Sequence, residues 1–206
     1  MPFFKYGPTE LEYLRKKDKK LGVVIDRIGV IEREVIPDLF IALIFSIVSQ
    51  QISAKAASTV CSRLENRFTV INPETISAAT VEEIQQCGLS FRKSAYIKGI
   101  GVAVHEKRLD LSELAGLSDD EVIRHLSSLN GVGRWTAEML LIFSMERMDV
   151  VSFDDLAIQR GMKITYGLKE LNRELFEKYR RKYSPFGSVA SLYLWAVSHE
   201  QALEKR

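Results

Sequence analysis

Residues 129–138 read LNGVGRWTAE: two glycines around a valine, then a polar helix start in which a large aromatic side chain, Trp135, stands. Gly131 and Gly133 lack a Cβ, so each can take positive φ at no steric cost and let another backbone come close. The stretch therefore predicts a tight turn between two helices, and its flanks agree. In 119–129 the apolar residues Val122, Ile123, Leu126 and Leu129 recur at helical spacing, and Ala137, Leu140, Leu141 and Ser144 continue the pattern after Gly133. The amides of Val132, Gly133 and Arg134 are expected to point outward beside the partial positive charge of a helix N-terminus, which suits a phosphate. A bare Gly-x-Gly usually makes only a turn between packed helices. Here Leu126, Leu129, Val132, Ala137 and Leu140 add the apolar lock that such a hairpin needs.

Most other segments carry helical punctuation. Pro37-Asp38 opens an apolar run through Val48, Thr80–Glu83 and Ser118–Glu121 have the capping-box pattern, and Ser184-Pro185 places a proline just after a candidate N-cap. Only 22–35 and 149–153 are rich enough in β-branched residues to suggest strands, and neither alternates with a partner. The expectation is an all-α protein, a two-lobed helical bundle with an active-site cleft between the lobes. Residues 1–36 and the C-terminal region should pack as one lobe, and about 37–150 should form the other.

The composition is that of a globular protein able to bury a core, with 206 residues, 46% of them hydrophobic and 27% charged. The N-terminus lacks a signal-peptide pattern, and the longest apolar run, 39–48, is too short to span a bilayer, so a cytoplasmic protein without membrane contact is expected. Cys61 and Cys87 are far apart and are read as small core residues; they cannot build a four-thiolate iron-sulfur cluster. The net charge is only +2, but residues 160–182 hold eight Lys or Arg against three Glu. Such a run is most often a solvated helix face.

LNGVGRWTAEMLL resembles the helix-hairpin-helix of the DNA base-excision glycosylases, with Asn130 where that family usually has proline. The resemblance extends to SIVSQQISAKAA (46–57), GLSFRKSAYIKGI (88–100), VVSFDDLAIQRG (150–161) and YSPFGSVASLYLW (183–195), and covers most of the chain from about residue 37. Family members that also nick the strand carry a lysine two residues after the second hairpin glycine, as the amine of a Schiff base. Here that position is Trp135, and indole cannot serve as that amine. Its electron-rich face attracts a cation by roughly 0.5–2 kcal/mol, and a base alkylated on a ring nitrogen is cationic. The chain is thus similar to the DNA-3-methyladenine glycosylase II branch, in which tryptophans matching Trp135 and Trp195 belong to the base pocket. The competing reading of each Trp is a core anchor. Met139 and Ala196 stand where the branch has tyrosines, which leaves the lesion range open.

The resemblance puts the catalytic carboxylate on Asp155 rather than Asp154, although an Asp at a helix start also serves as a cap. A fixed carboxylate stabilises an oxocarbenium-like sugar and can orient a water. His105, His125 and His199 are read as structural or solvated. Chemistry on a stacked base requires flipping it out. The resemblance assigns the gap-filling turn to Gln50, Gln51, Ile52 and Ser53, with Ser53 alternatively a plain N-cap. Arg92, Lys93, Arg134 and Lys163 are candidate phosphate contacts. The backbone carbonyls of Ser127, Leu129 and Val132 are candidates for a structural Na+ or K+.

These implications amount to a monomeric, monofunctional DNA glycosylase. It would act on double-stranded DNA containing alkylated bases, such as 3-methyladenine and 7-methylguanine, with no required cofactor and no iron-sulfur cluster. Two alternatives stay open: a glycosylase for another base lesion, and a non-catalytic helix-hairpin-helix protein that only binds DNA. A third, a magnesium nuclease built on Asp154-Asp155, lacks further acidic partners at sensible spacing.

Overall fold

The structure, a computed structural model, describes residues 2–204. Among these residues the chain is all-α: twelve α-helices and one 3-10 turn, with a single isolated bridge between Phe3 and Glu34. It divides into two compact units, Met1–Val35 with Glu146–Arg206, and Ile36–Met145. Among the described residues no helix is long and apolar enough to cross a membrane.

The first unit holds α1 (Pro8–Lys17), α2 (Lys19–Ile28), α10 (Leu156–Tyr166), α11 (Arg173–Tyr183) and α12 (Gly187–Glu204). Asp18 separates the first two. Its buried carboxylate accepts the amides of Lys20 (3.1 Å) and Leu21 (3.0 Å) and so caps α2. The β-branched stretch from Gly22 is helical as far as Ile28, because Leu21, Val24 and Ile25 form one stripe whose burial outweighs intrinsic strand preference. Helix α10 packs on α12 with Gly161 at the crossing, where a Cβ would overlap the carbonyl of Leu194. Ser184 does not cap α12. It follows α11, and its hydroxyl donates to Asp149 Oδ2 (2.5 Å), while Asp149 Oδ1 accepts the amide of Gly187 (3.1 Å). A carboxylate from elsewhere in the chain thus satisfies the N-terminus of α12.

The second unit holds α3 (Leu39–Ser49), α4 (Ala54–Phe68), α5 (Pro73–Ala78), α6 (Val81–Gln85), α7 (Phe91–His105), α8 (Asp119–Ser127) and α9 (Arg134–Phe143), with the 3-10 turn at Glu113–Gly116. Asp38 caps α3 through the Ile41 amide (2.9 Å). The apolar run beginning at Leu39 is the unit's central helix: Phe40, Leu43, Ile44, Ile47 and Val48 are buried, and α3 packs against α4, α7 and α9. Thr80 with Glu83, and Ser118 with Glu121, form the expected capping boxes of α6 and α8.

Candidate active site and nucleic-acid interface

Helices α8 and α9 are joined by the turn that the sequence predicts. Only one glycine uses the left-handed region: Gly131 has φ +88°, whereas Gly133 lies at −92° as the N-cap of α9. Gly131 has a second constraint, since a Cβ there would overlap the Tyr96 ring from α7. The Val132 amide does not point outward as expected. It donates to the Leu129 carbonyl (3.1 Å), closing the turn on itself while the Val132 side chain enters the core. No hydrogen bond among the described residues engages the amides of Gly133 and Arg134, which stand at the N-terminus of α9. Arg134 donates from Nε to the buried Glu138 (2.9 Å) and lies 3.6 Å from Asp120, so its guanidinium is held against the hairpin. The carbonyls of Ser127 and Val132 accept no hydrogen bond among the described residues, and that of Leu129 accepts one. All three are neutral carbonyl oxygens with unused acceptor capacity.

The turn after α3 is tied to this hairpin. The Gln50 side-chain amide donates to the Gly131 carbonyl (2.9 Å). The sequence suggests a phosphate contact for Lys93, but its ammonium donates to the carbonyls of Val48 (2.8 Å) and Gln50 (2.5 Å), capping the negative end of α3. Burial pushes Lys93 below the usual lysine range. Beyond this anchor Gln51 takes positive φ (57°), and Ile52 is 40% exposed, an apolar side chain presented on a constrained backbone. Ser53 caps α4 through the Ala56 amide (3.2 Å). Arg92 is exposed, with its guanidinium 5.7 Å from the Tyr96 ring. Lys93→Met is expected to lower the urea-unfolding free energy by about 1–3 kcal/mol through lost charge-assisted hydrogen bonds. The salt slope of DNA binding should stay unchanged; a fall of about 0.9 would return Lys93 to the phosphate contacts.

In the first unit Asp155 is 7% exposed and Asp154 is exposed. Asp155 Oδ1 accepts the amides of Ala157 (2.8 Å) and Ile158 (2.9 Å), so the residue singled out for chemistry is also the cap of α10. The strand-free segment leading to it is laced to α12. Ser188 Oγ donates to the Arg147 carbonyl (2.5 Å) and accepts the Val150 amide (3.0 Å), and Ser191 Oγ donates to the Val150 carbonyl (3.2 Å). Asp149, Ser188, Ser191 and Tyr96 carry no mark of a site in the sequence; only the small-residue spacing at the start of α12 hints at a close approach.

Trp195 follows Leu194 on α12 and is half-buried, as is Ala196. Trp135, in the first turn of α9, is 42% exposed, which does not fit a core anchor. Met139, half-buried, lies four residues further on the same helix face. Lys163 is half-buried toward the far end of α10, and the three histidines are exposed on helices. Among the described residues no group of three or more His, Cys, Asp or Glu is placed to hold a metal ion.

Comparison with known proteins gives a consistent result. Residues 44–185 match the family model described as HhH-GPD superfamily base excision DNA repair protein. The chain is 36% identical over 161 residues to DNA-3-methyladenine glycosylase 1 of Schizosaccharomyces pombe, covering 76% of this chain and 71% of that protein. Among solved structures it is similar to a DNA-3-methyladenine glycosidase from Bacillus halodurans (TM-score 0.87, 35% identity, 99% of this chain and 95% of that one). It is also similar to the S. pombe 3-methyladenine DNA glycosylase in complex with abasic DNA (TM-score 0.76, 31% identity, 91% and 95%).

Proposed function

This chain belongs to the HhH-GPD superfamily of base excision DNA repair proteins, and we propose that it hydrolyses the N-glycosidic bond of alkylated purines in double-stranded DNA without cutting the strand. The substrates are 3-methyladenine first and 7-methylguanine second. The observation that carries this reading is Trp135, an exposed aromatic face where strand-nicking relatives place a lysine. Trp135, Met139 and Trp195 contact the flipped base. Gln51 and Ile52 fill the gap it leaves, and Gln50 and Ser53 hold their turn. The Gly133 and Arg134 amides, with Gly131 and Val132 shaping the hairpin, seat a backbone phosphate; Arg92, the Arg134 side chain and Lys163 add charge near the backbone. The Ser127, Leu129 and Val132 carbonyls are the oxygens that would hold Na+ or K+, which adds positive charge toward a phosphate when bound. The Asp155 carboxylate faces the positive charge that develops on the sugar and orients the attacking water. A cationic base leaves readily, so no general acid is required. The protein acts as a monomer in the cytoplasm, with no required cofactor.

Incubation with methylated DNA is expected to release free 3-methyladenine, read by chromatography, with no strand nicks. Trp135→Ala should slow that release roughly 2- to 30-fold, the kinetic equivalent of a cation–aromatic contact, and Trp135→Phe should retain most of it. Release of a neutral base such as hypoxanthine should fall less. Equal losses for cationic and neutral bases would refute the charge argument. One observation favours a second reading: the two amide bonds of Asp155 give it a complete structural reason to exist, as in a protein that only binds DNA. Binding without base release would select that reading.

A further inference from the structure

The first unit carries a cationic face that the proposed chemistry does not use. Helix α1 packs against α11, and both end in basic turns, Arg15-Lys16-Lys17 and Arg180-Arg181-Lys182. Two contacts fix these ends together: Tyr13 OH donates to the Ser184 carbonyl (2.7 Å), and Lys182 Nζ lies 3.1 Å from Asp18 Oδ2. A third ties the neighbouring helices, Lys20 Nζ of α2 donating to the Tyr166 carbonyl of α10 (3.1 Å). Beneath the charges lies an aromatic floor. Tyr166 stacks on Tyr179 at 3.8 Å, Lys182 sits 5.2 Å from the Tyr179 ring, and Lys17 sits 5.5 Å from Tyr13.

The balance of charge here is lopsided. The carboxylate that organises the cluster, Asp18, is 2% exposed and already engaged by Lys182 and two amides, so it shows almost no negative surface. On α11, Glu177 pairs with Arg173. Arg15 pairs with Asp26 of α2 (2.7 Å), and the remaining acids on α1 and α11 are Glu10, which bonds the Gly7 amide, and the exposed Glu12 and Glu174. Lys16, Lys19, Lys178 and Arg181 are exposed and form no ion pair among the described residues. Like charges held together on rigid helices repel one another, and a polyanion relieves that cost.

The position of this face narrows the partner. Tyr166 and Asp155 lie at opposite ends of the eleven-residue α10, about 16 Å apart at about 1.5 Å per residue. At about 3.4 Å per nucleotide along a strand, that is about five base pairs. We infer that the α1–α11 face binds backbone phosphates of the same duplex, about five base pairs to one side of the nucleotide at Asp155. The distance rests on Asp155 attending the lesion as proposed above and on α10 running along the duplex.

The test compares the wild type with the Lys16→Gln, Lys19→Gln, Lys178→Gln, Arg181→Gln combination, whose side chains form no hydrogen bond or ion pair among the described residues. Binding is measured against salt on duplexes with a central abasic site, one of about 9 and one of about 25 base pairs. On the long duplex the slope of log K against log salt should be shallower in the variant by up to about 3.6, at about 0.9 per lost phosphate contact. On the short duplex, which cannot reach the face, the two proteins should coincide. Equal slopes on the long duplex, or an equal loss on both lengths, overturns the inference. Base release from methylated DNA by the wild type is scored separately, so a failure of the enzymatic reading is distinguished from a failure of this surface.

Discussion

Replacing Asp155 with asparagine is expected to slow single-turnover release of 3-methyladenine by roughly 10²–10³-fold, the usual loss when one preorganised electrostatic group is removed from a reacting centre. The fold should survive. A carboxamide oxygen can still accept the amides of Ala157 and Ile158 that Oδ1 holds at 2.8 and 2.9 Å, so the cap of α10 persists while the charge is gone. Asp155→Ala removes both and should additionally lower unfolding stability by about 1–2 kcal/mol. The pair separates chemistry from capping. Near-wild-type release by Asp155→Asn, with an unchanged far-UV circular dichroism spectrum and melting temperature, would leave Asp155 as a cap and remove it from the reaction.

The second large effect concerns Gly161. In an isolated helix Gly161→Ala would be favourable by about 1 kcal/mol. Here the new Cβ would lie about 2.7 Å from the backbone carbon of Leu194 and closer still to its oxygen, and a helix backbone does not yield as the end of a side chain does. Overpacking of this kind costs about 1–3 kcal/mol and sometimes more. The overlap should win, lowering the melting temperature by about 5–10 °C at the few degrees per kcal/mol typical of a chain this size. Base release should also fall, because moving α12 away from α10 moves Trp195, the residue after Leu194. An unchanged or higher melting temperature would mean that the two helices do not need to touch at this point.

The sequence was most legible where its signals are local. The hairpin's apolar spacing, the capping boxes at Thr80 and Ser118, and the helical punctuation are all contained within a few residues, and the all-α fold follows from them. What it hid are contacts between side chains and distant backbone. Gln50 reaches Gly131 across 81 positions, and Lys93 reaches Val48 across 45; no periodicity encodes either pairing. Lys93 therefore looked like one more cation beside Arg92. Ser184 looked like a cap for the same reason, since the carboxylate that displaces it, Asp149, is 38 residues from Gly187. Val132 shows a subtler limit: its type predicts burial correctly, yet the direction of its amide depends on which of two glycines takes the left-handed conformation. Trp135 was read from its chemistry, and its exposure follows from its place on the first turn of α9.

On the proposed function, the Gln50–Gly131 bond has a kinetic consequence. Because one amide fastens the turn bearing Gln51 and Ile52 to the hairpin proposed to seat a phosphate, the spacing between the two is set before any duplex arrives, like the jaws of a fixed gauge. Docking on the strand and pushing into the stack then become a single motion, and the duplex must do the deforming. The work of opening a pair is drawn from phosphate contacts made in the same instant. A stretch of DNA weakened by damage completes that motion more often per encounter than an intact one, so sorting begins before any base has reached Trp135.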